Sequence, residues 1–172
     1  MYIGPYQLSN NLIVAPMAGV TDRPFRTLCK YFGAGHAVSE MMTSDQTLRM
    51  SKKSLYRANF DGELAPISAQ IAGSDPFDLA EAARYQVANG AQIVDINMGC
   101  PVPKVIKSGA GSGLICAPDL AEQIVLSVHA AIAASERPEM ALSVKTRIGF
   151  NEISTDWVKH VLQLPIDAAI FH

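Results

Sequence analysis

Short apolar runs and longer amphipathic stretches alternate along the whole chain. The apolar runs predict six β-strands, at residues 12–16, 37–40, 66–71, 93–97, 141–145 and 168–172. The stretches between them predict α-helices, most clearly at residues 23–32, 75–90, 118–132 and 155–164. Apolar strands that alternate with helices are typical of an α/β protein whose parallel sheet is buried on both faces.

Two of the predicted helices carry clear sequence signals. Asp75 can cap a helix that begins at Pro76, and Asn89 with Gly90 predicts its end. After Pro118, apolar side chains recur every four residues, at Leu120, Ile124, Val128 and Ile132. This spacing predicts a helix with one apolar face that packs against the sheet.

The residues near the carboxyl ends of the strands distinguish between a closed barrel and an open sheet. They are Pro16, Met17, Glu40, Gln70, Asn97, Lys145 and His172, each at or near the carboxyl end of a predicted strand. In a (β/α)8 TIM barrel all these ends meet at one mouth, whereas an open doubly wound sheet uses only the strands beside its switch point. The wide distribution favours the barrel.

The length changes this picture. A complete barrel takes roughly 250 residues, whereas this chain has 172 residues and reaches only its sixth strand. An open arc of six strands would also expose a hydrophobic edge. We therefore expect a single domain over residues 1–172, an incomplete TIM barrel of about five to six βα units, and the N-terminal portion of a larger enzyme.

Composition excludes several classes of protein. The hydrophobic fraction is 49%, the charged fraction is 17% and the net charge is −2, which describes a soluble globular chain without a basic nucleic-acid footprint. Cys29, Cys100 and Cys116 form neither a disulfide framework nor a metal-ligand spacing. We expect a cytoplasmic protein without a metal, a secretory signal or a membrane span.

The segment around Cys100 carries the strongest chemical signal. An apolar strand reaches Asn97 and is then broken by Gly99 and Pro101, with the thiol of Cys100 between the two breakers. The carboxyl end of a strand in α/β proteins is where ligands and catalytic groups lie. A functional thiol is therefore the favoured interpretation, and a buried structural cysteine is the alternative.

Several motifs together resemble the tRNA-dihydrouridine synthases, most closely their bacterial B-type branch. They are APMAGVTD at 15–22, SEM at 39–41, AQIAG at 69–73, DINMGCP at 95–101, Lys104 with GAGS at 109–112, VKTRIG at 144–149 and FH at 171–172. They occur in family order over nearly the whole chain.

The resemblance implies an enzyme that uses FMN and NADPH to reduce uridine in tRNA to 5,6-dihydrouridine. NADPH reduces the flavin, the flavin passes a hydride to C6 of the uracil, and a cysteine at the position of Cys100 donates a proton to C5. An unperturbed thiol is mostly protonated at neutral pH, which agrees with a role as an acid.

The resemblance also assigns cofactor contacts. Gln70, Lys145 and His172 are expected to contact the flavin, and Pro16, Met17 and Ala18 to line its site. A cation such as Lys145 would stabilise a reduced, anionic flavin ring, and a buried lysine needs an anionic or hydrogen-bonding partner. His172 is the last residue of the chain and could instead fray.

Two residues are expected to bind the substrate. Asn97 would meet the target base, because an amide offers a donor and an acceptor to a uracil edge; the alternative is an Asx turn that closes the strand. Lys104 would touch an RNA phosphate, and the alternative is a solvated loop lysine.

Other functions remain open at this point. The family's FMN-phosphate loops and its helical tRNA-binding domain lie beyond the matched motifs, so we expect weak or no activity from these 172 residues alone. A related FMN barrel acting on a free pyrimidine, such as a dihydroorotate dehydrogenase-like enzyme, is one alternative. A non-catalytic half-barrel that pairs with another chain is the other.

Overall fold

The structure, a computed structural model, describes residues 1–49 and 51–172. Its strands are β1 (Tyr2–Ile3), β2 (Tyr6–Gln7), β3 (Ile13–Val14), β4 (His36–Ala37), β5 (Met42–Thr43), β6 (Ser68–Ala72), β7 (Ile93–Met98), β8 (Ala141–Thr146) and β9 (Ala168–Phe171). Its helices are α1 (Arg23–Tyr31), α2 (Gln46–Arg49), α3 (Lys52–Arg57), α4 (Pro76–Ala88), α5 (Pro103–Lys107), α6 (Pro118–Ala133) and α7 (Thr155–Leu162). A 3₁₀ helix covers Gly111–Cys116.

The parallel strands follow one another in sequence order. β3 pairs with β4, and β5 to β9 form a five-stranded sheet in the order β5-β6-β7-β8-β9. A parallel bridge between Val38 and Ser68 connects the two sheets. A doubly wound sheet reverses its strand order at a switch point, and none of the described strands does so.

The second predicted strand is wrong in its bounds. Residues 37–40 do not form one strand, because the chain forms β4, bridges to Ser68 through Val38 and then resumes pairing in β5. The hydroxyl of Ser39 accepts the Gln70 N–H at 3.1 Å, in place of a main-chain carbonyl. This contact of the side chain interrupts the strand, and Glu40 lies outside β4 and β5.

The helix signals in the sequence are confirmed. The Asp75 carboxylate accepts the Asp78 N–H at 2.9 Å, and α4 begins at Pro76. On the outer face of the sheet, Leu79 of α4 and Ile124 and Val128 of α6 are buried in the main core. No helix in the described part of the chain is long and apolar enough to cross a membrane.

A short hairpin closes the amino end of the sheet. Ile3 and Leu8, in and beside β1 and β2, pack against Ile93 and Ala141 at the starts of β7 and β8. Gly4 makes the turn with φ +52°, and a Cβ there would lie 2.8 Å from the Cβ of Ala141. The apolar packing fills this end of the sheet, so polar chemistry is left to the opposite, carboxyl end.

Candidate functional site

A cavity of about 410 Å³ lies at the carboxyl ends of the parallel strands. It brings together the predicted site residues Pro16, Met17, Ala18, Gln70, Asn97, Cys100, Lys145 and His172. Lys104 is the one predicted site residue that the cavity does not include. Residues more than 150 positions apart in the sequence therefore share one site, because the strand ends that carry them converge.

The backbone of Cys100 is held by Asn97. The Asn97 Oδ1 accepts the N–H of Gly99 at 3.2 Å and the N–H of Cys100 at 3.0 Å. This is the Asx turn that the sequence offered as the alternative role for Asn97. The turn uses only the oxygen of the amide, so the Nδ2 group is left for other partners in the cavity wall.

Gly111 supports Cys100 from behind. Its φ is +60°, and a Cβ on it would lie 2.6 Å from the carbonyl oxygen of Cys100 and 2.9 Å from Val105 Cγ1. The same Cys100 carbonyl accepts the N–H of Ser112 at 3.0 Å. The loop that follows α5 is therefore packed directly against the thiol-bearing residue.

A chain of buried hydrogen bonds continues from Asn97 into the sheet. Asn97 Nδ2 donates to Gln70 Oε1 at 2.9 Å, and Gln70 Nε2 donates to Asp95 Oδ2 at 2.7 Å. Ser143 Oγ donates to the other Asp95 oxygen at 2.6 Å. Burial raises the pKa of the Asp95 carboxyl, whereas the Ser143 and Gln70 hydrogen bonds and the positive charge of Lys145 oppose that rise.

Lys145 brings a positive charge to this wall. It is half-buried at the end of β8 and lines the cavity. Among residues 1–49 and 51–172, none forms an ion pair or a hydrogen bond with its ammonium group. A buried lysine was expected to have an anionic or hydrogen-bonding partner, and the ammonium group of Lys145 is free to make that contact with a ligand.

The loop of Pro16, Met17 and Ala18 is fixed by residues behind it. Thr21 Oγ1 accepts the Met17 N–H at 2.7 Å, and the Glu40 Oε1 accepts the Gly19 N–H at 2.6 Å. The Glu40 oxygen also accepts from Arg57 Nη2 at 2.9 Å. Glu40 is buried and anchors the loop, and it does not itself line the cavity.

Arg147 and Met41 also line the cavity, and neither was predicted to be a site residue. Arg147 Nε donates to the carbonyl of Gly99 at 2.8 Å, which ties the end of β7 to the end of β8. The strand period of two could have indicated Arg147, because it places Arg147 on the same side as Lys145. No comparable pattern pointed to Met41.

Lys104 lies in a neighbouring cavity of about 500 Å³. This second cavity lies between α2 and α5 and includes Arg57, Ser74 and Ser108, while Met41 lines both cavities. Lys104 is thus beside the Cys100 cavity and outside it. His172 lines the Cys100 cavity, and its backbone N–H donates to the Thr146 carbonyl at 3.0 Å.

The described residues contain no cluster of three or more His, Cys, Asp or Glu side chains that could hold a metal ion. Cys29, Cys100 and Cys116 are free cysteines. The polar side chains that line the cavity carry a thiol, two amides, two cations and an imidazole.

The fold and the cavity define an α/β protein with a thiol site at the carboxyl ends of parallel strands. The family model described as dihydrouridine synthase (Dus) matches residues 13–171 of this chain. The chain therefore belongs to the dihydrouridine synthase family.

Individual members of the family are similar over most of the chain. The chain is 51% identical over 170 residues to tRNA-dihydrouridine synthase B of Vibrio vulnificus, a match that covers 99% of the chain and 51% of the relative. It is 50% identical over 151 residues to the protein of the same name from Xanthomonas campestris, which covers 88% of the chain and 44% of that relative. The chain thus spans about half the length of the curated relatives it matches.

Proposed function

We propose that this chain carries the reaction site of an enzyme that reduces uridine to 5,6-dihydrouridine in tRNA, with FMN as cofactor and NADPH as reductant. The observation that carries the proposal is the convergence of Cys100, Asn97, Gln70 and Lys145 on one cavity. The names of the relatives, tRNA-dihydrouridine synthase B, supply the substrate class. A tRNA substrate would place the protein in the cytoplasm.

The donors of the cavity wall suit the pyrimidine end of a flavin ring. That end carries carbonyl oxygens and ring nitrogens that accept hydrogen bonds, and Gln70 and Lys145 offer an amide N–H and an ammonium group without a protein partner. Pro16, Met17 and Ala18 add a mixed backbone and apolar surface to the cavity, and His172 also lines it. When bound here, FMN would supply the hydride for C6 of the base.

Cys100 is the group that would donate the proton to C5. A nucleophilic role requires a thiolate stabilised by a neighbouring base or cation. Within the described residues, no side chain forms a hydrogen bond with the Cys100 sulfur, and its backbone is held at both the N–H and the carbonyl. A positioned thiol that forms no hydrogen bond with a base or a cation is suited to act as an acid.

Asn97 and Lys104 would contact the nucleic acid. Asn97 retains one N–H beside Cys100, where a carbonyl oxygen of the target base could accept it. Lys104 lines the second cavity, which adjoins the first at Met41 and could take the phosphate of a flanking nucleotide. Such phosphate contacts weaken with salt.

The strand order supports an arc of a TIM barrel. We propose that residues 1–172 form one domain whose strands β3 to β9 are the first part of a (β/α)8 barrel. The remaining barrel strands and a helical tRNA-binding domain would lie in the half of the relatives that this chain does not match. The FMN-phosphate site is expected in that half, after the last barrel strands.

The test uses two proteins. The first is the 172-residue chain, and the second is this chain joined to the part of the Vibrio vulnificus relative that it does not match, called the completed chain below. We expect the completed chain to bind FMN and to form dihydrouridine in unmodified tRNA with NADPH. We expect the 172-residue chain alone to do so weakly or not at all.

Cys100→Ala and Cys116→Ala form a matched pair, since Cys116 is exposed and outside the cavity. In the completed chain, Cys100→Ala should lower turnover by about 100-fold or more, the usual contribution of a general acid, and Cys116→Ala should leave it unchanged. A folded, FMN-loaded completed chain that reduces no uridine would contradict the proposal. Full turnover by the Cys100→Ala variant would contradict the assignment of the proton donor.

A further inference from the structure

We propose that Asp95 is a positioning residue, which fixes the direction of the Gln70 and Asn97 amides and, through Asn97, the backbone of Cys100. Asp95 does not line the Cys100 cavity. The hydrogen-bond chain links it to that cavity, and the positive charge of Lys145, which lines the cavity, also acts on its carboxyl. Of the two measurements that test this inference, turnover rests on the proposed function, whereas alkylation of the Cys100 thiol rests on the geometry alone.

One end of the chain is set by the backbone. Asn97 Oδ1 accepts two main-chain N–H groups, from Gly99 and Cys100. If the Asn97 amide were reversed, its Nδ2 donors would face the N–H donors of Gly99 and Cys100. Asn97 must therefore direct its Nδ2 group toward Gln70, which has to accept with Oε1.

The other end is set by Asp95. Because Gln70 accepts with its oxygen, its Nε2 group faces away from Asn97 and donates to Asp95 Oδ2. The two oxygens of the Asp95 carboxyl accept separately, Oδ2 from this N–H and Oδ1 from the Ser143 hydroxyl. Without Asp95, only the single hydrogen bond from Asn97 would oppose reversal of the Gln70 amide.

The fixed direction determines what the cavity wall offers to a ligand. Gln70 and Asn97 each keep one N–H that no described residue accepts, both lone pairs of the Asn97 oxygen are used, and Gln70 Oε1 keeps one lone pair. Donors therefore outnumber acceptors among the hydrogen-bonding groups of these two amides. A ligand with acceptors such as carbonyl oxygens fits the two free N–H groups, and Asp95 helps to hold them in this arrangement.

The test compares variants of Asp95 and Ser143 with a control. Asp95→Leu removes the acceptor, Ser143→Ala removes one donor to Asp95, and Asp95→Asn can keep the chain by accepting from Gln70 and donating to Ser143. Ser68→Ala is the matched control, because Ser68 is a buried interior serine whose hydroxyl has no hydrogen-bond partner in the described structure.

The first readout is alkylation of Cys100 by iodoacetamide in both proteins, measured by mass spectrometry and divided by that of Cys116 in the same chain. Asp95→Leu and Ser143→Ala should raise this ratio by about threefold or more, since a weakened hydrogen bond loosens the local structure by that order. Asp95→Asn and Ser68→Ala should stay within about twofold of the wild type on the same scale.

The second readout is turnover of the completed chain. Asp95→Leu should lower kcat by about tenfold to 100-fold, the scale of a small misplacement of a reacting group, with restoration in Asp95→Asn. If the wild type forms no dihydrouridine, the proposed function fails and the alkylation ratio still decides the role of Asp95. Equal ratios for Ser143→Ala and Ser68→Ala, or a folded Asp95→Leu variant with the wild-type ratio, would overturn the inference.

Discussion

Gly111 packs so closely against Cys100 that a Cβ on it would lie 2.6 Å from the Cys100 carbonyl oxygen. Two requirements for glycine coincide at this residue, a φ of +60° and the absence of a side chain. The loop after α5 therefore acts as a support that holds the thiol at the edge of the cavity.

Replacing Gly111 by alanine should displace Cys100. We expect Gly111→Ala to lower the free energy of unfolding by about 1–3 kcal/mol, from backbone strain and steric overlap, and to lower turnover of the completed chain by about tenfold or more. Chemical denaturation and a tRNA assay measure the two effects.

Gly62→Ala is the matched control. Gly62 has φ +72°, yet a Cβ on it would meet no atom within 4 Å. Its substitution should therefore cause backbone strain without loss of turnover. Equal activity of the two variants would show that Gly111 does not support Cys100.

The buried ion pair of Arg26 and Glu63 should make the largest electrostatic contribution to stability in the N-terminal part of the chain. Arg26 Nη2 lies 2.6 Å from Glu63 Oε2 and Arg26 Nε lies 2.9 Å from Glu63 Oε1, and both side chains are buried. Glu63→Gln leaves a buried guanidinium without its counter-charge, and it should destabilise the fold by about 3 kcal/mol or more.

The surface pair of Glu81 and Arg84 supplies the comparison. It lies at the surface of α4, with Arg84 exposed and Glu81 half-buried, so Glu81→Gln should change the free energy of unfolding by less than about 1 kcal/mol. Similar losses in Glu63→Gln and Glu81→Gln, measured by urea denaturation, would contradict this account of α1.

His36 should make stability depend on pH. Burial and the positive charge of Lys30 lower the pKa of His36 from 6.5 to about 4. The folded protein therefore binds this proton less readily than the unfolded chain. The stabilisation is complete above pH 6.5 and is lost as the pH falls from 6.5 toward 4, by up to about 3 kcal/mol.

His36→Gln should flatten the unfolding free energy over this pH range. His129→Gln should not, because His129 is exposed on α6. Urea denaturation at pH 7 and at pH 5 measures the difference. An unchanged pH dependence in His36→Gln would assign the effect to other groups.

Glu40 should control the loop that lines the proposed cofactor site. Its carboxylate joins the Gly19 N–H to Arg57. Glu40→Gln weakens both contacts, and we expect FMN to bind the completed chain about tenfold more weakly, because each lost charged hydrogen bond is worth about that much. Glu139→Gln, in an exposed pair with Arg137, should leave FMN binding unchanged in a fluorescence titration.

Much of the sheet could be predicted from the sequence because its strands are apolar on both faces. The runs at 93–97 and 141–145 became β7 and β8 almost residue for residue. Strands β1 and β2 were not predicted, because two residues each are too few to show a period. The interruption at Ser39 could not be predicted either, since it depends on a contact with Gln70 across strands.

Most of the candidate site could be predicted from the order of the strands. The prediction was incomplete where the strand register or the direction of a loop decides which residues meet. Gln70, Asn97 and Lys145 share a cavity because parallel strand ends converge. The role of Asp95 depends on its pairing with Gln70 in the β6–β7 register, which the sequence does not contain. Lys104 follows Cys100 by only four residues, yet α5 carries it into the second cavity.

The central claim is that the cavity of Gln70, Cys100 and Lys145 holds the flavin. The most direct measurement is the FMN dissociation constant of the completed chain carrying Lys145→Ala or Lys104→Ala. We predict binding weaker by about tenfold or more for Lys145→Ala, from the loss of a charged contact, and no change for Lys104→Ala. Unaltered FMN binding in Lys145→Ala, or equal losses in both variants, would contradict the account.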